Sequence, residues 1–196
     1  SSGDLNLVLE WGSFKGEDVA FDLTFHPAVP DLPKESCDWQ LESCDFSILE
    51  ESLDPETCLP LVVFHNAVIS DGKLTAGETD NIFIFQIPLS DSAQLELVMR
   101  VARLEGTVIS GADGRYIVGG LIGGAIRRDD IVAAIQQIPD TAYLPVGKET
   151  LITLLDLFVV PDVDTDADGD PDAVSLGLKF EARPATITSL KAGGTQ

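Results

Sequence analysis

Gln94-Leu-Glu-Leu-Val-Met-Arg-Val-Ala-Arg103 is the stretch that decides the fold class. Leu95, Leu97, Met99 and Val101 alternate with Gln94, Glu96 and Arg100. Successive side chains on an extended backbone point to opposite faces, so a period of two marks a half-buried β-strand. Leu104 to Ser110 continues the pattern as a second strand through a bend expected at Gly106, and Gly111-Ala-Asp-Gly114 turns the chain into a strand over Arg115 to Ile122.

The same period spreads outward. Leu61 to Ile69 and Ile82 to Leu89 read as strands, with Ser70-Asp-Gly-Lys and Ala76-Gly-Glu supplying turn chemistry between them. Near the start, Leu5, Leu7, Leu9 and Trp11 face Val19, Phe21, Leu23 and Phe25 across Gly12-Ser-Phe-Lys-Gly16, which predicts an opening hairpin with Trp11 in the core. The period changes at Asp129 and Asp130, after which Ile131, Ala134, Ile135 and Ile138 recur at helical spacing until Pro139. Leu151, Leu154, Leu155 and Phe158 repeat that spacing over residues 147–158, where a second helix or a buried strand would fit. Ala173 to Ala182 and Ala185 to Leu190 are expected to close the chain as strands.

Eight to ten short strands predict a mainly β fold, an antiparallel jelly-roll-like sandwich with two short helices capping one end. Residues 1–196 make one domain, with an irregular cysteine-bearing loop at 31–60 and a helical insertion plus aspartate loop at 127–172. Gly119-Gly120-Leu-Ile-Gly123-Gly124 lacks the order and context of a phosphate loop; its expected role is to let a strand bend or a helix pack closely.

The chain carries a formal charge of −21, which repels phosphates and disfavours nucleic acid and anionic membranes as partners. No apolar run approaches the 18 or so residues of a transmembrane segment. Cys37, Cys44 and Cys58 lack the paired spacing of a zinc site. One disulfide is expected, and Cys37–Cys44 and Cys44–Cys58 are both compatible with the sequence. Ser1-Ser-Gly-Asp has neither the basic start nor the apolar core of an export signal. On a processed-chain reading that signal has been removed, and a lipid-bearing cysteine upstream is compatible with it.

The stretch Asp162-Val-Asp164-Thr-Asp166-Ala-Asp168-Gly169-Asp170-Pro171-Asp172 places six carboxylates in eleven residues. Asp164, Asp166 and Asp168 occupy positions 1, 3 and 5 of a cation loop, Gly169 the sharp turn at 6, Asp170 the backbone-carbonyl position at 7, and Asp172 position 9. These five aspartates are the candidate metal ligands. The pattern resembles the DxDxDGxxD calcium loops of EF-hands, dockerins and thrombospondin type 3 repeats over about a dozen residues. It departs at position 12, where Ser175 replaces the bidentate glutamate, so the resemblance implies a structural Ca2+ more than a sensing switch. Asp172-Ala-Val-Ser175-Leu-Gly177-Leu-Lys-Phe180, taken with the glycine run, also resembles uncharacterised secreted proteins and lipoproteins of Gram-negative bacteria over residues 61–190, which implies location and architecture only. Loops of this kind in extracellular modules bind calcium with dissociation constants of about 10⁻⁴ to 10⁻³ M, so a calcium-rich exterior would fill them.

No catalytic set stands out. His26 and His65 are the two histidines, each without a metal-binding or acid-base partner in sequence, and both are read as structural. There is no GxSxG elbow, and the acidic pairs Glu50/Glu51 and Glu78/Asp80 are what 33 acidic residues produce by chance. The expectation is a non-enzymatic, secreted or cell-surface calcium-binding module that takes part in surface structure or adhesion. Two alternatives stand beside it: a glycan-binding module using Trp39 as a platform, and a subunit of a larger extracellular or cell-envelope assembly contacting a surface protein.

Overall fold

The computed structural model describes residues 6–33, 36–38, 42–90, 93–142, 144 and 146–192. Its strands are β1 (Leu7–Gly12), β2 (Phe21–Pro30), β3 (Cys44–Leu49), β4 (Val62–Ser70), β5 (Lys73–Ala76), β6 (Ile82–Ser90), β7 (Ala93–Gly111), β8 (Gly114–Arg127), β9 (Ala173–Ala182) and β10 (Ala185–Lys191). Helices α1 (Arg128–Gln137) and α2 (Lys148–Phe158) lie between β8 and β9. The fold is mainly β, as the alternation predicts.

All ten strands join in one sheet ordered β10-β3-β2-β4-β5-β7-β8-β9, with β1 paired to β2 and β6 to β7. The expected purely antiparallel arrangement is corrected at one place, because β10 runs parallel to β3. A second correction falls in the cysteine segment: residues 31–60 are not irregular throughout, since β3 forms there and pairs with β2.

The third correction concerns β7, a single strand of 19 residues where two were expected. At about 3.3 Å per residue it would reach about 60 Å if straight, beyond the roughly 40 Å breadth implied by a radius of gyration near 16 Å for this length. It must bend, and it does so by bulging. Between Arg100 and Arg103 the register against β8 gains a residue on β7, where Val101 has φ +52°. Between Glu105 and Thr107 the extra residue lies on β8, and the β8–β9 register shifts over the same segment. Gly119 there takes φ +59°, a left-handed conformation that costs glycine nothing. Gly106 stays inside the ladder for a different reason: a Cβ on it would lie 2.6 Å from Ile117 Cγ2.

β7 pairs with β6 along its first half and β5 along its second, while β2 pairs with β4 and then β3. Two long strands thus each carry two partners on one edge, and the sheet turns corners at them. β9 and β10, at opposite ends of the strand order, are joined by Arg183 and Pro184 alone, so the sheet curls until its ends meet at that corner.

The enclosed core holds Leu23, Phe64, Leu74, Phe83, Met99 and Ala102, all fully or almost fully buried. Phe25 lies 5.4 Å from Phe64 and 5.1 Å from Phe83 between ring centroids, an edge-to-face and tilted packing that aromatic quadrupoles favour. Trp11 stacks on Phe21 at 5.6 Å and is half-buried against the core, with the Arg115 guanidinium 5.8 Å from its ring.

α1 buries Ile135 and packs on β7 and β8, with Ile131 and Ala134 against the core, which matches the predicted helical spacing. Residues 148–158 form a helix and not the alternative strand. α2 rests on α1. Lys148 Nζ donates to Gln136 O at 3.3 Å and to Asp140 Oδ1 at 2.6 Å, tying the start of α2 to the end of α1.

Cys37 and Cys44 form the disulfide, and Cys58 is a free, exposed cysteine. Thiol labelling under non-reducing conditions followed by peptide mapping should place the one reactive thiol at Cys58; label on Cys37 or Cys44 would refute this pairing.

Every residue of β10 is exposed, so side-chain burial contributes little to holding it on β3. Asp31, just after β2, supplies the attachment: its carboxylate accepts hydrogen bonds from the hydroxyls of Ser47 on β3 and Thr188 on β10, and from Lys191 Nζ at 3.1 Å. Ser189 adds its hydroxyl to Ser47 at 2.7 Å. The Ser47 and Thr188 hydroxyls, followed by Lys191, lower the Asp31 pKa to about 2. A depressed carboxylate stabilises the folded state above its unfolded pKa of about 3.9, and that contribution disappears as pH falls through about 2. Hydrogen exchange should show β10 protected at pH 5, loosened near pH 2, and loosened already at pH 5 in Asp31→Ala. Equal protection of β10 in the variant and the native chain would overturn the attachment.

Candidate metal centre

The aspartate loop leaves the body of the fold through a narrow neck. Val163 and Ala173 form an isolated antiparallel bridge, each N–H donating to the other's carbonyl at 3.0 Å, and the Asp162 and Asp172 N–H groups add bonds at 2.9 and 3.0 Å. Ala173 is fully buried and opens β9. Asp162 turns outward from the loop, where its carboxylate accepts the Ser175 N–H at 2.7 Å and the Ser175 hydroxyl at 2.5 Å. The serine at the twelfth position therefore has a local partner.

Inside the neck, side-chain oxygens hold the backbone in consecutive turns. Asp164 Oδ1 accepts from the N–H of Ala167 at 2.7 Å and of Asp166 at 3.3 Å, and its Oδ2 accepts from Gly169 N–H at 2.9 Å. Asp166 Oδ1 accepts from Asp168 N–H at 3.3 Å, and Asp168 Oδ1 from Asp170 N–H at 2.9 Å. Such aspartate turns tolerate left-handed backbone, seen here at Ala167 with φ +62° and Gly169 with φ +100°. Backbone donors, Gly169 first, pull the Asp164 pKa below the usual carboxylate range.

The result is a convergence of Asp164, Asp166 and Asp168, which each offer one oxygen within 4.8 Å of the others. Two oxygens bound to one Ca2+ at about 2.4 Å can be at most about 4.8 Å apart, so the spacing falls within the reach of a single hard cation. All three are exposed, and none is paired with a basic side chain among the described residues.

The other two candidate ligands stand outside that group. Asp170 contributes its N–H to Asp168, and its carboxylate does not join the convergent three. Asp172 is a clamp: it accepts the Thr165 N–H at 2.7 Å and hydroxyl at 2.8 Å, and its Oδ2 lies 3.0 Å from Arg127 Nε. The Thr165 donors, with Arg127 a smaller cause, lower its pKa. Arg127 ends β8 and is the residue immediately before α1, so the clamp ties the loop to the root of the helix. Sequence spacing identifies Asp172 as a ligand position but gives no sign of this role, because Arg127 is 45 residues away and reaches it only through the β8–β9 pairing that sets Arg127 opposite Ala173.

The remaining candidates are placed as follows. His26 is buried; Ser52 donates its hydroxyl to Leu49 O at 2.6 Å, so the 3.0 Å contact of His26 Nδ1 with Ser52 Oγ is donated by the ring. Its Nε2 has no hydrogen-bond partner and lies 3.7 Å from Glu10 Oε2. Burial lowers the His26 pKa, with Glu10 opposing, which keeps the ring neutral near pH 7. His65 is exposed, 2.9 Å from Asp22, and borders an open concavity of about 700 Å³ that also involves Glu78, Arg103 and Val101. Among the described residues neither serine nor cysteine lines that concavity. Trp39, the suggested sugar platform, lies outside the described residues.

No protein-family model, curated protein or solved structure matches the chain.

The clamp yields a prediction about the loop's order. Arg127→Ala should leave the melting temperature within about 2 °C, since half-exposed ion pairs contribute little, yet increase proteolytic cleavage within 163–172. Unchanged cleavage would show that the loop is held without Arg127.

Proposed function

We propose that the chain is a calcium-binding β module of a calcium-rich, oxidising exterior, and that the ion is structural. One observation carries the reading: three carboxylates converge within the span of a single cation, unpaired with any base among the described residues, on a loop whose turns are fixed by their own backbone hydrogen bonds. Like charges brought together in this way repel, and a divalent ion removes the repulsion. The three aspartates would supply the acidic ligands, with backbone carbonyl and water completing the 6–8 oxygens that calcium takes.

Supporting context comes from three sides. The Cys37–Cys44 disulfide fits an oxidising compartment. The charge of −21 draws cations. Among the described residues no helix is long and apolar enough to cross a membrane. On this reading the module is non-enzymatic and serves in a surface or envelope structure, where calcium orders the loop and, through Asp172 and Arg127, the root of α1.

Calorimetric and thermal-melt titrations test the proposal. Calcium about tenfold above its dissociation constant should raise the melting temperature by about 3–6 °C, magnesium should act more weakly, and Asp166→Ala should abolish the shift. No binding heat and no thermal shift at 5 mM calcium would overturn it.

A further inference from the structure

The end of α2 presents an apolar surface left exposed among the described residues. Leu157, Phe158 and Val160 are 68%, 78% and 75% exposed, and Leu154 and Val146 are also exposed. Leu154, Leu157 and Phe158 fall at i, i+3 and i+4, so they share one helix face, and Val160 follows two residues beyond the last turn. The four side chains offer on the order of several hundred Å² of apolar surface in one place, the scale that marks an interaction site and not a stray exposed leucine. None of the described side chains of α2 is buried, and the helix packs on α1.

The surroundings select the occupant. Two residues beyond Val160 the acidic loop begins, and Asp162, Asp164, Asp166, Asp168 and Asp170 are all exposed. A second copy would bring another −21 charge, and an anionic bilayer would meet the same acidic rim. An apolar centre with a one-sided negative rim is complementary to a surface that is apolar at its centre and cationic at its edge.

We propose that Leu154, Leu157, Phe158 and Val160 form a docking surface for a cationic amphipathic segment of a partner protein, its lysines or arginines meeting the 162–170 rim. The apolar residues supply the affinity, and the rim supplies steering and excludes acidic partners. The apolar half of this surface does not depend on calcium, whereas an ion on Asp164, Asp166 and Asp168 would cancel two of the five rim charges and weaken the steering, so binding is measured with calcium removed by chelation.

A synthetic helix of about 18 residues built from leucine and lysine serves as the probe, with a leucine and glutamate helix as its counterpart, followed by calorimetry and fluorescence anisotropy. The native chain should bind the lysine helix one-to-one, several-fold more weakly at about 300 mM salt than at about 50 mM, and should not bind the glutamate helix. Phe158→Asp should weaken binding at least tenfold, and Leu157→Ser should weaken it several-fold; both sites are exposed, and circular dichroism would confirm that each variant folds. The aspartate variant is decisive because it adds negative charge, so attraction by charge alone would tighten. Unchanged or tighter binding by Phe158→Asp overturns the proposal. It is also overturned if sedimentation shows a dimer that Phe158→Asp dissociates, or if lipid vesicles bind the native chain and not the variant, since the occupant would then be a second copy or a membrane.

Discussion

A straight strand of 19 residues would be longer, at about 60 Å, than the roughly 40 Å breadth expected of a compact chain of this length, and the architecture follows from how β7 accommodates that constraint. The extra residue at Val101 and the one opposite, at Gly119, bend the β7–β8 hairpin without breaking its ladder. Because the hairpin bends, β6 and β5 can share one edge of β7, and the far ends of the sheet come round to the Arg183-Pro184 corner. Val101 is the demanding position, since a β-branched residue with φ near +50° is strained and persists only where its surroundings over-determine it.

The same hairpin sets the position of the aspartate loop. The end of β8 delivers Arg127 to the start of α1 and pairs Arg127 with Ala173, so the loop neck, the helix root and the last β8–β9 pair meet at one place. Asp172 closes that junction, and Asp162 fixes the outer side through Ser175. Of the six acids in the tract, two therefore act as fasteners and three converge. The division follows from which carboxylates lie near strong donors. Asp172 meets a guanidinium and a threonine, whereas Asp164, Asp166 and Asp168 meet backbone N–H groups and, among the described residues, no basic side chain, which leaves oxygen lone pairs free.

The acidic tract and the apolar end of α2 are neighbours along the chain but differ in physical character. Carboxylates on an exposed loop remain in water and respond to cations and salt. Leu157 and Phe158 gain little from water and gain by being covered. They are the two halves of the surface proposed above, the carboxylates suited to steering and the apolar side chains to adhesion.

Much of the β architecture was legible from the residues alone. Alternation of apolar side chains located β1, β2, β4, β6, β8, β9 and β10, and the 0, 3, 4, 7 spacing located α1, because periodicity follows from local backbone geometry. The turn of the loop at Gly169 and the convergence of Asp164, Asp166 and Asp168 were equally local, set by spacing over a few residues. What lay beyond the sequence was long-range: the parallel pairing of β10 with β3, the continuity of β7 through its bulge, the choice of Cys37 over Cys58 as the partner of Cys44, and the capture of Asp172 by Arg127. Each depends on which distant segments the curled sheet brings together. Local periodicity specifies which face of a strand is apolar, but only closure of the sheet specifies which strand that face and its edge will meet.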